Sequence, residues 1–340
     1  MDYIVMDLEW NQNPYGRNHC HTDITFEIIE IGAIRVNKRM EMIDSFHEVV
    51  KPQIFKKLHY KIQEITHFTN EELQSGRDFK IVVEEFLKWC GEEYTFCTWG
   101  SMDLTELQKN MKHYGLERIL EFPLFYVDLQ KMFSLRYDDG HMKRTLMSAV
   151  EHLEIQEDEE FHRALSDAYY TARVLQTMDF ETYKGRLSID TFYPPRIKQE
   201  EIFVRFDEYT KLVTREFYSR EDMFDDDDVR ELRCNQCDKP LNVMIDWFSN
   251  SGKTYYCLGE CQEHGYVRGK IKIRKYEEDS FYAIKIMKST DREGADSIFE
   301  KQENIREKRR ERRQRCLDRE IIIDEIWEDN DEIEIEDDDD

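Results

Sequence analysis

The sequence has no basic leader at its start and no apolar run of membrane-spanning length. In the opening segment MDYIVMDLEWNQ, Asp7 and Glu9 interrupt the apolar residues before they reach the length of a signal peptide. Nowhere else do apolar residues continue for the roughly 20 positions that a transmembrane helix needs. We therefore expect a cytoplasmic protein with no membrane partner, in which cysteines stay reduced.

Basic residues are also scarce relative to acidic ones. Lys and Arg number 49 against 74 Asp and Glu, a formal net charge of −25. This balance argues against a general nucleic-acid binder, which normally presents excess positive charge to phosphate. The charge is unevenly spread, because residues 301–315 hold eight basic and three acidic side chains, and residues 316–340 hold one basic and fourteen acidic. The end of the chain predicts a basic helix followed by a disordered acidic segment.

The first half of the chain predicts an α/β fold, because strand-like and helix-like segments alternate from residue 1 to about 180. Five strands are predicted from runs rich in β-branched and aromatic residues, at 3–10, 27–36, 43–50, 94–99 and 124–127. Helices are predicted where apolar residues recur at helical spacing, at 79–90, 128–136, 143–153 and 164–178. The predicted class is a mixed sheet with helices on its faces.

Four segments are predicted along the chain. Residues 1–183 form the α/β domain, and residues 184–230 form a linker because Tyr193-Pro194-Pro195 and the run Asp225 to Asp228 interrupt regular structure. Within this linker, residues 202–217 could still form a helix or strands. Residues 231–290 form a small β-rich module, and residues 291–340 form a charged tail, helical or largely disordered.

Two acids lie inside the first predicted strand. Asp7 and Glu9 are two residues apart, so both side chains project from the same face of the sheet and could hold a divalent cation. A surface strand edge is the alternative interpretation. The apolar flanks favour a site, because an unpaired buried charge costs several kcal/mol unless a metal or partner compensates it.

Three further residues are candidates for the same site. Asp103 follows the fourth strand, although Asp103 to Glu106 also fits a capping box at a helix start. His162 and Asp167 are five residues apart and would face different ways on one helix. We therefore expect His162 just before the helix and Asp167 one turn inside it. Taken singly, each could be an ordinary histidine or exposed acid.

The conjunction of D-x-E, an aspartate after the fourth strand, and H-x-A-x-x-D resembles the DEDDh exonucleases of the RNase H-like superfamily. That family includes proofreading exonucleases, oligoribonuclease and RNase T, and the resemblance covers about residues 1–180. It implies an RNase H-like mixed five-stranded sheet flanked by helices. It also implies a 3′→5′ exonuclease that releases nucleoside 5′-monophosphates from single-stranded RNA or DNA; the sequence does not distinguish the two substrates.

The resemblance also implies roles for individual residues. Two Mg²⁺ or Mn²⁺ ions would be bound by four acids, Asp7, Glu9, Asp103 and Asp167. His162 would act as general base on a metal-bound water. Leu8 would pack against the terminal base and Trp10 would stack on a base, unless both are core residues. Arg163 is a candidate phosphate contact.

Four of the eight cysteines fall in two close pairs. Cys234-x₂-Cys237 and Cys257-x₃-Cys261 are separated by nineteen residues, which predicts a zinc ribbon with four thiolate ligands. His264 could instead replace Cys261 as the fourth ligand. The basic stretch 268–275 could contact nucleic acid, or it could be the solvated face of a strand.

A second class of function remains open from the sequence. The chain could be a catalytically inactive tether in which the zinc module and the basic segment 301–315 bind nucleic acid or a protein. The intact set of five candidate site residues favours the enzyme.

Overall fold

The computed structural model describes residues 2–14, 24–138, 140, 142–178, 187–249 and 251–331, with side chains up to residue 315. The chain divides into two compact units, Met1–Tyr193 and Pro194–Asp340. The predicted boundary between residues 183 and 184, and the final segment 332–340 of the predicted tail, lie outside the described residues.

The first unit is a mixed α/β fold. Its strands are β1 (Asp2–Gln12), β2 (Phe26–Val36), β3 (Met42–Val49), β4 (Tyr94–Thr98), β5 (Phe125–Asp128) and β6 (Ser188–Ile189). Its helices are α1 (Tyr60–Thr66), α2 (Asn70–Ser75), α3 (Phe79–Cys90), α4 (Met102–His113), α5 (Leu129–Tyr137), α6 (Leu146–His152) and α7 (Ala164–Thr177). The sheet order is β3-β2-β1-β4-β5-β6, with β1, β4 and β5 parallel and the other neighbours antiparallel.

Strand β1 lies in the middle of this sheet and is covered on both faces. Tyr3 and Val5 contribute to the core that contains residues of α5, α6 and α7. Ile4 and Met6 contribute to the core on the opposite face, which contains residues of α3 and α4. Because successive side chains of a strand alternate between faces, an almost continuous apolar run is what such a doubly covered strand requires.

The number of strands differs from the prediction. The five predicted strands are confirmed, as are the helices at 79–90 and 164–178, but the sheet has a sixth strand. Ser188 and Ile189 of β6 pair antiparallel with Tyr126 and Phe125 of β5. A strand of two residues is too short to produce a recognisable alternation, so it depends on the neighbouring strand for its definition.

The second unit contains a separate antiparallel sheet. Its strands are β7 (Ile202–Arg205), β8 (Tyr209–Phe217), β9 (Asn242–Ser249), β10 (Thr254–Cys261), β11 (Gly265–Lys275) and β12 (Phe281–Ser289), in the order β7-β8-β12-β11-β10-β9. A 3₁₀ turn (Lys198–Glu200), two short helices (Arg220–Asp225 and Asp227–Arg230) and a long helix (Arg292–Asp331) complete it.

The segment 184–230, predicted as a linker, contains two strands of this sheet. Its residues 202–217 form β7 and β8, and β8 pairs with β12 across more than sixty residues of sequence. The apolar pattern of β8 is interrupted by Lys211 and Arg215, although Val213 is completely buried. The segment 202–217 thus forms strands, one of the two alternatives left open by a local pattern that does not show a distant partner. The segment 231–290, predicted as a small module, shares one sheet with it.

The predicted tail is helical from Arg292 to Asp331. Its first turns are part of the fold, because Ala295 and Ile298 are buried in one cluster with Ile245 and Leu258. Among the described residues, no helix has the length and apolar character that crossing a membrane requires.

Candidate functional site

Two facing strands carry the acids of the candidate site. In the antiparallel pair β1 and β2, Asp7 lies opposite Gly32 and Glu9 lies opposite Glu30. Residues that lie opposite each other across a sheet project from the same face. This face therefore carries three carboxylates and one position without a side chain.

Gly32 lets the start of helix α7 contact the strand directly. A Cβ atom at this position would overlap the backbone of Ala164 and Leu165. Any other residue would have to push the first turn of α7 away from β2. The same turn carries Asp167, so the missing side chain at position 32 determines how closely Asp167 approaches Asp7.

Glu30 holds the same helix end by hydrogen bonds. Its Oε1 accepts from Arg163 Nε at 3.1 Å and Nη2 at 3.0 Å, and its Oε2 accepts from the Ala164 amide at 2.9 Å. His47 Nε2 lies 2.7 Å from Oε1. Burial raises the pKa of Glu30, but the hydrogen bonds from His47, Arg163 and Ala164 outweigh it and lower the pKa below its usual value. Glu30 is therefore a charged anchor, and sequence reasoning missed it.

Arg163 is held by contacts within the first unit. Its guanidinium binds Glu30 and lies 4.2 Å from the centre of the Phe68 ring. The guanidinium donates two hydrogen bonds to a buried carboxylate and stacks one face on an aromatic ring. These contacts fix its position within the protein. Arg163 therefore positions α7, and a contact between Arg163 and a phosphate stays a prediction.

His162 and Asp167 lie at the start of α7 as predicted. His162 precedes the helix, which begins at Ala164, and Asp167 lies in the first turn. The His162 backbone is in the left-handed region, with φ of 69°, and its amide N–H donates to the Asp167 carboxylate at 3.3 and 3.4 Å. Such a backbone costs about 1–3 kcal/mol for a residue other than glycine and is concentrated at functional sites. Ligand atoms of Glu9, His162 and Asp167 lie within 4.8 Å of one another.

Asp103 reaches the site from helix α4. Its Oδ1 accepts the Leu8 amide N–H at 3.3 Å, between the two acids of β1. The N-cap of α4 is Ser101, so Asp103 lies inside the first turn and is not the cap of a capping box. Further along α4, the Asn110 side chain accepts from the Ile28 amide at 3.1 Å and donates to the Phe26 carbonyl at 3.0 Å. These bonds fix α4 on β2.

Burial and repulsion from neighbouring acids raise the pKa values of all four acids. Burial raises the pKa of Asp7, and repulsion from Asp103, Asp167 and Glu9 raises it further. Burial, with repulsion from Asp167, raises the pKa of Glu9 to about 9. Burial raises the pKa of Asp103 to about 7, against the lowering effect of its backbone hydrogen bonds. Burial raises the pKa of Asp167 to about 6, although the His162 amide lowers it.

These four acids fit a site for divalent cations. The pKa of each is raised by at least one other acidic group, which requires that the carboxylates lie close together. In the described part of the chain, no lysine or arginine forms an ion pair with any of the four. Carboxylate oxygens gathered without a protein cation are the ligands that Mg²⁺ and Mn²⁺ prefer.

The two predicted base contacts have different environments. Leu8 is only 3% exposed and packs in the core with residues of α3 and α4, which is the alternative noted from the sequence. A base contact through Leu8 stays a prediction. Trp10 is half-buried, with its ring centre 5.7 Å from that of Phe26. A base contact through Trp10 stays a prediction.

The structure groups the cysteines of the second unit differently from the prediction. Cys234, Cys237, Cys261 and His264 offer ligand atoms within 4.8 Å of one another. Cys257 is outside this group and completely buried, in a core cluster that includes Trp247. Cys257 and Cys261 belong to one strand, where four residues span about 13 Å. Cys257 and Cys261 are thus too far apart to share one ion, and the group that the structure brings together contains His264 where the prediction had Cys257.

A family model described as an exonuclease, RNase_T, matches residues 4–175. The chain is 26% identical over 184 residues to a probable 3′-5′ exonuclease, KapD, of Bacillus subtilis, covering 52% of this chain and 83% of that protein. It is 22% identical over 160 residues to 3′-5′ exoribonuclease 1 of Rattus norvegicus, covering 45% and 46%. A PolC-type DNA polymerase III of Staphylococcus saprophyticus is 24% identical over 172 residues, which is 50% of this chain and 11% of the polymerase. The chain therefore spans less than half the length of two of these three relatives.

Solved structures are similar to the same part of the chain. The nuclease domain of 3′hExo, described as a DEDDh family member bound to rAMP, is 20% identical with a TM-score of 0.48, covering 56% of this chain and 96% of that one. Cell-death related nuclease 4 (CRN-4) is 19% identical with a TM-score of 0.46, covering 60% and 68%.

The acid cluster predicts how stability depends on pH without metal. Because the folded-state pKa values are raised, the folded chain holds protons that the unfolded chain releases, and stability falls as pH rises from about 4 to about 9. In EDTA we expect the melting temperature to fall by several degrees between pH 5 and pH 9, and Mg²⁺ to restore it. Differential scanning calorimetry measures both.

Asp7→Asn should weaken this pH dependence and the response to Mg²⁺, because it removes one of the repelling charges. The control is Glu64→Gln, which removes an exposed acid of α1 and should behave like the native chain. A melting temperature in EDTA that is constant or rises across this range would contradict the model of four crowded acids.

Gly32→Ala is predicted to displace the start of α7. The added methyl group overlaps helix backbone, so we expect a loss of about 1–3 kcal/mol in the free energy of unfolding and a loss of Mg²⁺-induced stabilisation. Urea denaturation with and without Mg²⁺ measures both. Gly91→Ala is the control, because its Cβ would meet no atom within 4 Å although its φ of 77° strains any side chain. It should destabilise the chain but keep the Mg²⁺ response.

Proposed function

This chain belongs to the exonuclease family whose model matches residues 4–175, and from that premise we propose that it is a 3′→5′ exonuclease. The proposed reaction is metal-dependent hydrolysis of the terminal phosphodiester of single-stranded RNA or DNA, with release of nucleoside 5′-monophosphates. The observation that carries the proposal is the gathering of four carboxylates and one imidazole at the start of α7. The named relatives include an exoribonuclease and a DNA polymerase, so both substrates belong in the test.

The acids of the site are proposed to bind two Mg²⁺ or Mn²⁺ ions. Three elements supply the oxygen ligands: β1 carries Asp7 and Glu9, α4 carries Asp103, and α7 carries Asp167. When bound, such ions lower the pKa of a coordinated water and stabilise charge on the phosphate. The protein's contribution is the fixed spacing of the carboxylates, which the Leu8 amide and the Glu30 anchor maintain.

His162 is proposed to accept the proton of the attacking water. Its side chain is exposed, whereas the acids beside it are partly buried, so the imidazole can face both solvent and a bound substrate. Imidazole changes protonation near neutral pH, which suits a general base under physiological conditions. The hydrogen bond from the His162 amide to Asp167 joins the proposed base to a proposed metal ligand.

Removing the base and removing a metal ligand should have separable effects. His162→Ala is expected to lower the rate about 10²–10⁴-fold, which is the usual contribution of a general base, while the stabilisation by Mg²⁺ is retained. Asp7→Asn should lose both. Purified full chain is incubated with 5′-labelled single-stranded RNA or DNA and Mg²⁺ or EDTA, and the products are resolved by length.

Glu64→Gln is again the matched control and should shorten its substrate at the native rate. The proposal predicts a ladder of products that needs Mg²⁺ and yields nucleoside 5′-monophosphates. Equal binding by the native chain and Asp7→Asn, with no shortening of either substrate, would contradict the enzyme and favour the tether.

The second unit offers a surface that suits nucleic acid. Alternate residues of β11 place Arg268, Lys270 and Lys272 on one face of its sheet. The Lys301 and Lys270 ammonium groups lie 4.1 and 5.7 Å from the centre of the Tyr256 ring. Burial lowers the pKa of Lys270, and the neighbouring Lys272, Lys301 and Arg268 lower it further. Single-stranded nucleic acid binds surfaces that combine several cationic side chains, which contact phosphates, with an aromatic ring, which stacks on a base.

Reversing one of these charges should weaken binding of single strands. Lys272→Glu is expected to lower the affinity for an unstructured oligonucleotide and to reduce the slope of log affinity against log salt by roughly 0.7 for the lost phosphate contact. Fluorescence anisotropy of the full chain in EDTA measures both without hydrolysis. Lys275→Glu is the matched control, since it makes the same charge change on the opposite face of β11. An equal loss in both variants would indicate a general charge effect and contradict a specific surface.

A further inference from the structure

The second unit contains a set of metal-ligating side chains that the proposed exonuclease reaction does not use. We propose that one structural Zn²⁺ is bound there by four side chains, Cys234, Cys237, Cys261 and His264. The inference concerns the fold of the second unit and does not depend on the proposed catalytic activity.

The distances among these side chains match a tetrahedral zinc site. The Cys237 and Cys261 sulfurs are 3.7 Å apart, and His264 Nδ1 lies 3.6 Å from Cys234 Sγ and 3.5 Å from Cys261 Sγ. Zn–S bonds of about 2.3 Å and Zn–N bonds of about 2.0–2.1 Å at tetrahedral angles place two sulfurs about 3.8 Å apart and a sulfur and a nitrogen about 3.6 Å apart. A disulfide needs sulfurs at about 2.05 Å, so the 3.7 Å pair is not one.

Two tight turns bring the ligands together. In the first turn, the Cys234 amide donates to the Lys239 carbonyl at 2.9 Å, and the Gln236 amide donates to Cys234 Sγ at 3.5 Å. An amide directed at the cysteine sulfur stabilises the thiolate that zinc requires. The second turn joins β10 to β11, with Cys261 at the end of β10 and His264 just before Gly265.

The composition of the set indicates a structural site. All four tetrahedral positions are supplied by protein, which leaves no open position for a substrate or water. Cys234 and Cys261 are 1% and 4% exposed, and the core cluster around them is small, with Leu232, Val267 and Met287 as members. A small core gains stability from a bound metal. The zinc would join the Cys234–Cys237 turn to the hairpin that carries the basic face of β11.

Metal content of the full chain tests the ligand set. Native protein, purified without chelator, should contain about one zinc per chain by plasma mass spectrometry. His264→Ala and Cys261→Ser should contain well under half of that amount. Cys257→Ala should keep the full amount, although it lies in the same strand as Cys261. Zinc lost in Cys257→Ala but retained in His264→Ala would overturn the proposal, as would metal-free native protein.

A spectroscopic measurement on the native chain guards against variants that simply unfold. Co²⁺ replacing zinc should give the visible absorption bands of a tetrahedral site with three sulfurs and one nitrogen. His264→Cys should shift these bands to lower energy, as four sulfurs require, while retaining one metal per chain. Bands of a four-sulfur site in the native chain, or bands unchanged in His264→Cys, would show that His264 is not a ligand.

Discussion

The removal of four clustered carboxylates from water, together with repulsion from neighbouring acids, is the constraint around which the site of the first unit is arranged. Burial raises the pKa values of Asp7, Glu9, Asp103 and Asp167, and repulsion from neighbouring acids, including Glu30, raises them further. Without a cation such a cluster opposes folding, so other parts of the fold must hold the acids together. The surrounding sheet and its two cores provide that stability, which is a common relation between scaffold and site.

The hydrogen bonds around Glu30 show how one more acid helps to hold the others. Glu30 lies directly opposite Glu9, where two like charges would normally destabilise a sheet. Arg163 and the Ala164 amide compensate the charge of Glu30, and the same contacts attach the first turn of α7 to β2. Glu30, whose charge these contacts neutralise, thus also positions Asp167 through the first turn of α7. The acids proposed as metal ligands have no comparable partner among the described residues.

Features that depend on local pattern could be predicted from the sequence. The spacing of Asp7 and Glu9 in an apolar strand, and of His162 and Asp167 around a helix start, predicted their placement because alternation and helical periodicity are local properties. Contacts between distant segments could not be predicted in this way. Glu30 had the same signal as Asp7, an acid in an apolar strand, but its partner Arg163 lies 133 residues away.

The cysteine set illustrates the same limit. Pair spacing pointed to Cys257 as a ligand, but spacing says nothing about whether the second pair lies in a turn or along a strand. In the structure it lies along β10, and the extended backbone separates the two thiols while the next turn brings in His264. The sequence left open whether residues 202–217 form a helix or strands for a related reason, since the partner of β8 is the distant strand β12.

The close approach at Gly32 has a consequence for judging variants of this chain from their motifs alone. A descendant that acquired a methyl group at this position could retain every acid and the histidine, and a motif search would still score it as intact. Its α7 would nevertheless stand away from β2, because the space that a Cβ needs is already filled by helix backbone. The arrangement of the acids therefore depends as much on a residue with no side chain as on those that carry the charges.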